Sequence, residues 1–278
     1  MSAAVMPSAG RSTASLPMYD LPELRPAIEA WWRGLARAFR AAGLAEVPDA
    51  LVWPDDFDAA WRAPGLLISQ TCGYPLMTAY GGVLQVVATP AYDAPGCDGT
   101  SYRSAIIVRR DHPARDLAGL RGATGAFNAR HSQSGYNCLR HLIAPLAGGR
   151  PFFGRVVETG GHAASLAAVA EGRADVAAID SVTYTLVARY RPAAVAKLQV
   201  LTYSEAAPGL PYVTSAAALP DQVERLRAGL AAALADPELA AAREVLLLRG
   251  AEVLPADAYQ AILRMEQEAR ALDYGELR

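Results

Sequence analysis

The chain has 278 residues, 52% of them hydrophobic, and a formal net charge of −2. That length predicts one large or two medium domains, and that apolar fraction is ample for a buried core. The near-balanced charge carries no nucleic-acid footprint, no segment reaches the roughly 18 apolar residues that span a membrane, and the basic residues are almost all arginine, Lys197 being the single lysine.

Met1 to Ser15 is rich in Ala and Ser, with Pro7 and Arg11 and no apolar core. A secretory leader needs a basic segment, an apolar core and a small-residue cleavage site. Either the sequence as given omits such a leader, or the protein is cytosolic. Residues 14–19 read as a short first strand. Leu24, Ile28, Trp31, Trp32, Leu35 and Phe39 recur at helical spacing and predict a helix whose aromatic pair belongs to the core. Residues 50–53 and 66–69 read as buried strands, with Pro54-Asp-Asp-Phe a turn into a short helix. Residues 84–92 and 104–109 read as strands, and 94–101 as the loop between them. Further on, 219–247 is helical with an interruption near Pro237, and 256–272 is a last amphipathic helix. Alternating strands and helices predict an α/β fold. No internal repeat and no low-complexity linker divides the chain.

The middle of the chain carries the chemistry. Residues 124–127 form an apolar strand, followed by Asn128-Ala-Arg-His-Ser-Gln-Ser-Gly-Tyr-Asn and a helical pattern through Leu139, Leu142, Ile143 and Leu146. Ser132, Gln133, Ser134 and Gly135 therefore sit at a helix start, where N–H groups are unpaired and the macrodipole end is positive. Small hydroxyl residues and glycine let an oxyanion approach those N–H groups. An ordinary serine N-cap gives the same local pattern. Two more such junctions follow. Val156-Val157-Glu158 leads through Thr159-Gly160-Gly161 to His162 and a helix ending at Gly172. Val176-Ala177-Ala178-Ile179 leads to Asp180-Ser181 and a helix to about Tyr190. Ligands bind at strand ends and helix starts in open α/β sheets.

The run from Asp116-Leu-Ala-Gly-Leu-Arg-Gly through the Ser-Gln-Ser-Gly loop, Phe152-Phe153, Thr159-Gly-Gly-His162, residues 169–180 and Pro208-Gly-Leu-Pro-Tyr212 resembles a known family. It is similar to the phosphate/phosphite/phosphonate-binding (PhnD-like) proteins of ABC importers. The resemblance spans about residues 66–216. It implies a two-lobed (type 2) periplasmic-binding-protein fold, each lobe a mixed sheet flanked by helices, with the ligand in the cleft between them. It implies a discontinuous first lobe, 14–102 plus 204–278, and a second lobe, 103–203, that carries the anion-binding helix starts. Carried over residue by residue, the oxyanion meets Ser132, Ser134, Gly135 and His162, with Asp180 facing it. Gln133 within that loop and Asn128 before it are further candidate ligand-binding residues, and Tyr74, Tyr102 and Tyr19 are candidate tyrosines from the first lobe. The implied partners are a small oxyanion and the membrane subunits of an ABC transporter, with a monomer in the periplasm. No cofactor is implied. A cytosolic sensor or biosynthetic protein using the same cleft is the alternative.

Ser134, His162 and Asp180 also contain the atoms of a hydrolase triad. Ser-Gln-Ser-Gly is not the Gly-x-Ser-x-Gly elbow that exposes a nucleophile, so the residues read as a binding site and not an enzyme. Three cysteines leave the redox compartment open. The spacing of Cys72 and Cys97 permits a disulfide, and Cys138 reads as a small buried residue. No C-x-x-C or His/Cys spacing suggests a metal.

Overall fold

The structure, a computed structural model, describes residues 12–278. The Ala/Ser-rich segment that bears on a leader lies, up to residue 11, outside the described residues.

Two five-stranded sheets build two lobes. One orders its strands Thr13–Ala14, Leu66–Gln70, Tyr212–Ser215, Leu84–Tyr92 and Leu248–Glu252. The other orders Leu198–Tyr203, Ser104–Arg109, Val176–Asp180, Thr124–Phe127 and Arg155–Glu158. The chain leaves the first sheet after Tyr92 and rejoins it at Tyr212. Near the two crossings, Ser101–Tyr102 pairs antiparallel with Ala207–Pro208 and with Cys97–Asp98. In the second sheet, Val176–Asp180, Thr124–Phe127 and Arg155–Glu158 run parallel. Their C-terminal ends share one edge, and each leads into a helix, Val176–Asp180 directly and the other two through a turn.

The helix Arg25–Ala41 buries Ile28, Trp31, Trp32, Leu35 and Phe39, as the spacing predicts. Trp31 also donates to the Tyr212 hydroxyl at 3.3 Å, tying the helix to the sheet. Each large apolar side chain so buried contributes roughly 1.5–3 kcal/mol. The strands at 84–92, 104–109 and 124–127 fall where the sequence puts them.

Four expectations need correction. Residues 50–53 form no strand: prolines bracket the segment at 48 and 54, Val52 is 47% exposed, and its N–H bond to the Ala14 carbonyl replaces a ladder. The first strand is only Thr13–Ala14; one more bond, from the Ser15 N–H to the Ile68 carbonyl, follows it, and Pro17 has no N–H to carry the pairing on. The loop at 94–101 holds a short strand, Cys97–Asp98, and the start of another. The last helix begins at Gln260, residues 256–259 being turns.

The C-terminal tail has its own packing. Ala269, Tyr274 and Leu277 join the cluster of Leu139, Ile143 and Phe152 on the second sheet. Phe152 and Phe153 both donate backbone N–H groups to the Arg278 carbonyl, at 2.7 and 3.0 Å. Residues that follow the first sheet in sequence are thus fastened to the second.

Candidate functional site

A cleft of about 470 Å³ opens between the lobes. From the second lobe, Asn128, Ser132, Ser134, His162 and Asp180 line it; from the first, Tyr19 does. The three junctions singled out in the sequence therefore converge on one cavity.

Ser132 is an extended N-cap residue whose Oγ accepts from the Gly135 N–H at 3.0 Å. The next turn, Gln133–Asn137, is a single wide π-type turn that runs into the helix Cys138–Ala147. Such turns often mark functional sites. Ser134 Oγ lies 2.8 Å from His162 Nε2 and 3.5 Å from Ser132 Oγ. His162 opens the helix His162–Ala170. Gly160, at φ +86°, gives the turn its left-handed residue. The Gly160 N–H bonds to the Asn128 carbonyl at 2.8 Å, so the first two junctions are latched together. Asp180 caps the helix Ser181–Tyr190, its Oδ1 accepting from the Thr183 N–H at 2.8 Å. Its Oδ2 accepts from the Tyr19 hydroxyl at 3.4 Å, a bond that joins the two lobes. The cap and the cleft contact coexist on one carboxylate.

The structure places the other named residues around the cleft and not in its lining. Gln133 is fully buried beneath the loop, donating to Cys138 Sγ at 3.3 Å and Met265 Sδ at 3.1 Å. Gly135 spends its N–H on Ser132, and a Cβ there would fall 1.8 Å from Asn128 Oδ1. The glycine therefore makes room for Asn128 and not for an incoming anion. The Tyr74 ring faces Arg140 on the helix behind, at 5.9 Å. Tyr102 is buried, and its phenol, without a hydrogen-bond partner among the described residues, has Ser134 among its neighbours.

No arginine or lysine is among the described residues that line the cleft. Burial pushes His162 down to about 4, so it is neutral at pH 7. Burial likewise pushes Asp180 up to about 6, against the lowering effect of the Thr183 and Val182 N–H groups. An anion here would be held by neutral donors and helix starts, which low surrounding polarity strengthens. The His162 Nδ1 and the Asn128 Oδ1 are buried without partners among the described residues. Asp180 gives its oxygens to Thr183 and Tyr19, so no Ser-His-Asp relay forms. Among the described residues no cluster of His, Cys, Asp and Glu could hold a metal.

All three cysteines are free thiols. The Cys72–Cys97 bridge that the spacing permits does not form, because each sulfur has another setting. Cys72 Sγ accepts from the Gln133 N–H at 3.3 Å, and Cys97 lies on the short sheet opposite Tyr102. Cys138 is buried as expected. Sequence reasoning assigned no place at the cleft to Cys72, Met18, Phe57 or Trp61, all of which line it. The spacing of Phe57 and Trp61, one helical turn apart, was the one available signal.

The neutrality of His162 has a direct consequence. Affinity for an oxyanion is expected to stay flat from this residue between about pH 6 and 8, since its ordinary titration is moved below that window. His162→Ala is expected to bind about tenfold worse, the loss of one hydrogen bond to a charged group. Calorimetry across that pH range, on both proteins, checks both statements. Native affinity in the variant would reduce His162 to a helix-start residue.

The model of a family described as "ABC transporter, phosphonate, periplasmic substrate-binding protein" matches residues 66–259. No curated protein matches the chain. Among solved structures, PhnD1 of Prochlorococcus marinus in complex with methylphosphonate is 13% identical, with a TM-score of 0.74, covering 93% of this chain and 98% of its own. A binding protein component of an ABC phosphonate transporter from Pseudomonas aeruginosa is 17% identical, with a TM-score of 0.72, covering 94% and 87%. A Xanthomonas citri protein bound to ATP is 16% identical, with a TM-score of 0.70, covering 96% and 100%. These likenesses establish the two-lobed periplasmic-binding-protein fold.

Proposed function

As the chain belongs to the periplasmic phosphonate-binding family of ABC transporters, we propose that it captures a small phosphorus oxyanion between its lobes and delivers it to the transporter's membrane subunits. It does so as a monomer in the periplasm, and without chemical conversion of the ligand. The lobes are 14–102 plus 204–278 and 103–203, with the end of the tail fastened across to the second.

One observation carries this reading. Three helix starts from parallel strands bring Ser132, Ser134, His162 and Asp180 onto a single cleft that no arginine or lysine lines among the described residues. Seryl and imidazole donors at helix starts suit a tetrahedral oxyanion. Asp180 gives the site a group that rejects a fully ionised anion and accepts a P–OH proton. Closing the lobes would shield these bonds from water.

The test is a thermal-shift screen with phosphate, phosphite, methylphosphonate, 2-aminoethylphosphonate and sulfate. A ligand at about 100 times its Kd adds roughly 2.7 kcal/mol of stability. At least one phosphorus oxyanion is expected to raise the Tm by several degrees and sulfate to leave it unmoved. No shift with any phosphorus compound would overturn the proposal.

A further inference from the structure

Apart from Tyr19 and Asp20, the first lobe's side of the cleft is largely apolar. Opposite the serines and His162, the first lobe contributes Met18, Leu21, Phe57, Trp61, Pro75 and Leu210. Phe57 stacks on Trp61, with ring centroids 5.6 Å apart and an interplanar angle of 25°. Trp61 is 5% exposed and anchored by its indole N–H to Ser69 Oγ at 3.2 Å. Phe57 is 40% exposed. It rests on a fixed partner and offers its other surface at the cleft.

The cleft, about 470 Å³ and open to solvent, also has room for more than a methyl substituent beside the headgroup. The carboxylates limit what else could fill it. Two line the cleft, Asp20 and Asp180. Asp20 has both oxygens on Arg25, each bond 2.8 Å. Asp180, whose oxygens accept from Thr183 and Tyr19, stands at the oxyanion end. Among the described residues, no carboxylate on the apolar wall awaits an ammonium group.

Resting on the phosphorus-oxyanion reading above, we infer that the ligand is a phosphonate whose substituent is apolar and larger than methyl, an aryl or butyl-sized group seated on Phe57, Trp61 and Met18. The oxyanion lies at the helix starts and the substituent runs toward the first lobe.

Calorimetry with methyl-, butyl-, phenyl- and 2-aminoethylphosphonate tests this. Each added methylene that is buried is expected to tighten binding about fourfold. Butylphosphonate should therefore bind more than tenfold tighter than methylphosphonate, with phenylphosphonate at least as tight. Phe57 is exposed enough for Phe57→Ala to fold, which an unchanged Tm without ligand verifies. That variant is expected to cut the ratio of phenyl- to methylphosphonate affinity about fivefold. If butyl- and phenylphosphonate bind no tighter than methylphosphonate, or 2-aminoethylphosphonate binds tightest, the inference is wrong while the phosphonate reading stands. If no phosphonate binds at all, the parent reading fails and this one with it.

Discussion

Ser134→Ala is expected to weaken phosphonate binding by roughly 10- to 150-fold, the span of a hydrogen bond to a charged group. The upper part of that range is the expected one, because the hydroxyl has two tasks. Its Oγ lies in the cleft at the start of the wide turn, and it sits 2.8 Å from His162 Nε2. Nδ1 of His162 has no partner among the described residues, so Ser134 is the contact that orients the ring. One of the two groups spends its proton in this bond, so the pair offers the ligand a single donor, and removing the hydroxyl removes the contact that aims it. Ser134→Ala and His162→Ala should therefore be strongly non-additive, the double variant binding little worse than Ser134→Ala alone. The turn should survive, since its cap is Ser132 and not Ser134. Calorimetry on the two single variants and the double, with an unliganded melting curve for each, measures this. Additive losses would show that Ser134 and His162 act separately. An unchanged affinity in Ser134→Ala would remove the residue from the site.

Much of this arrangement was legible before the structure, and the reason lies in its local character. A serine cap, a Gly-Gly turn and an Asp before a helix are decided within a few residues, so Ser132, Ser134, His162 and Asp180 could be named from the sequence. Their convergence follows from three parallel strands sharing an edge, which alternating β and α elements already imply. What sequence could not supply is which way a residue beside the cleft turns. Tyr74 and Pro75 are neighbours at one helix start, yet Pro75 lines the cleft and Tyr74 faces Arg140. Gly135 illustrates the same limit: its small size serves Asn128, seven residues earlier, and no local rule foretells that contact. The apolar wall was illegible for a further reason. Met18, Phe57 and Leu210 come from three distant stretches of chain and carry no shared motif. Residues 50–53 failed in the opposite way, an apolar run that looked like a strand but had prolines at both sides.

Wild-type protein is expected to ignore sulfate at pH 7.5 while binding a phosphorus oxyanion, and Asp180 is the reason. A carboxylate facing an anion repels it unless a proton or a cation lies between them. A phosphonate, phosphite or phosphate monoanion can donate its P–OH proton to Asp180, and an aminophosphonate could offer an ammonium group. Sulfate at neutral pH offers neither. Burial holds the Asp180 carboxyl at about 6, so it is ionised at pH 7.5 and protonated below pH 6. The sign of the pH effect follows. As pH falls from 7.5 toward 6 the protonated fraction grows, the repulsion fades, and Asp180 can donate to sulfate. Sulfate affinity should rise by up to about tenfold per pH unit across that window and level off below it. His162 stays neutral until about pH 4 and adds no slope of its own. Asp180→Asn separates charge from structure, because asparagine caps a helix as well as aspartate does. The helix Ser181–Tyr190 should keep its start, while affinity for the protonated oxyanion falls about tenfold or more and the gap to sulfate narrows. Calorimetry with phosphonate and sulfate, at pH 7.5 and 5.5 on both proteins, reads all eight affinities. If Asp180→Asn leaves the affinities and their ratio unchanged, Asp180 is a helix cap that happens to border the cleft, and selectivity against sulfate must be sought in the serines.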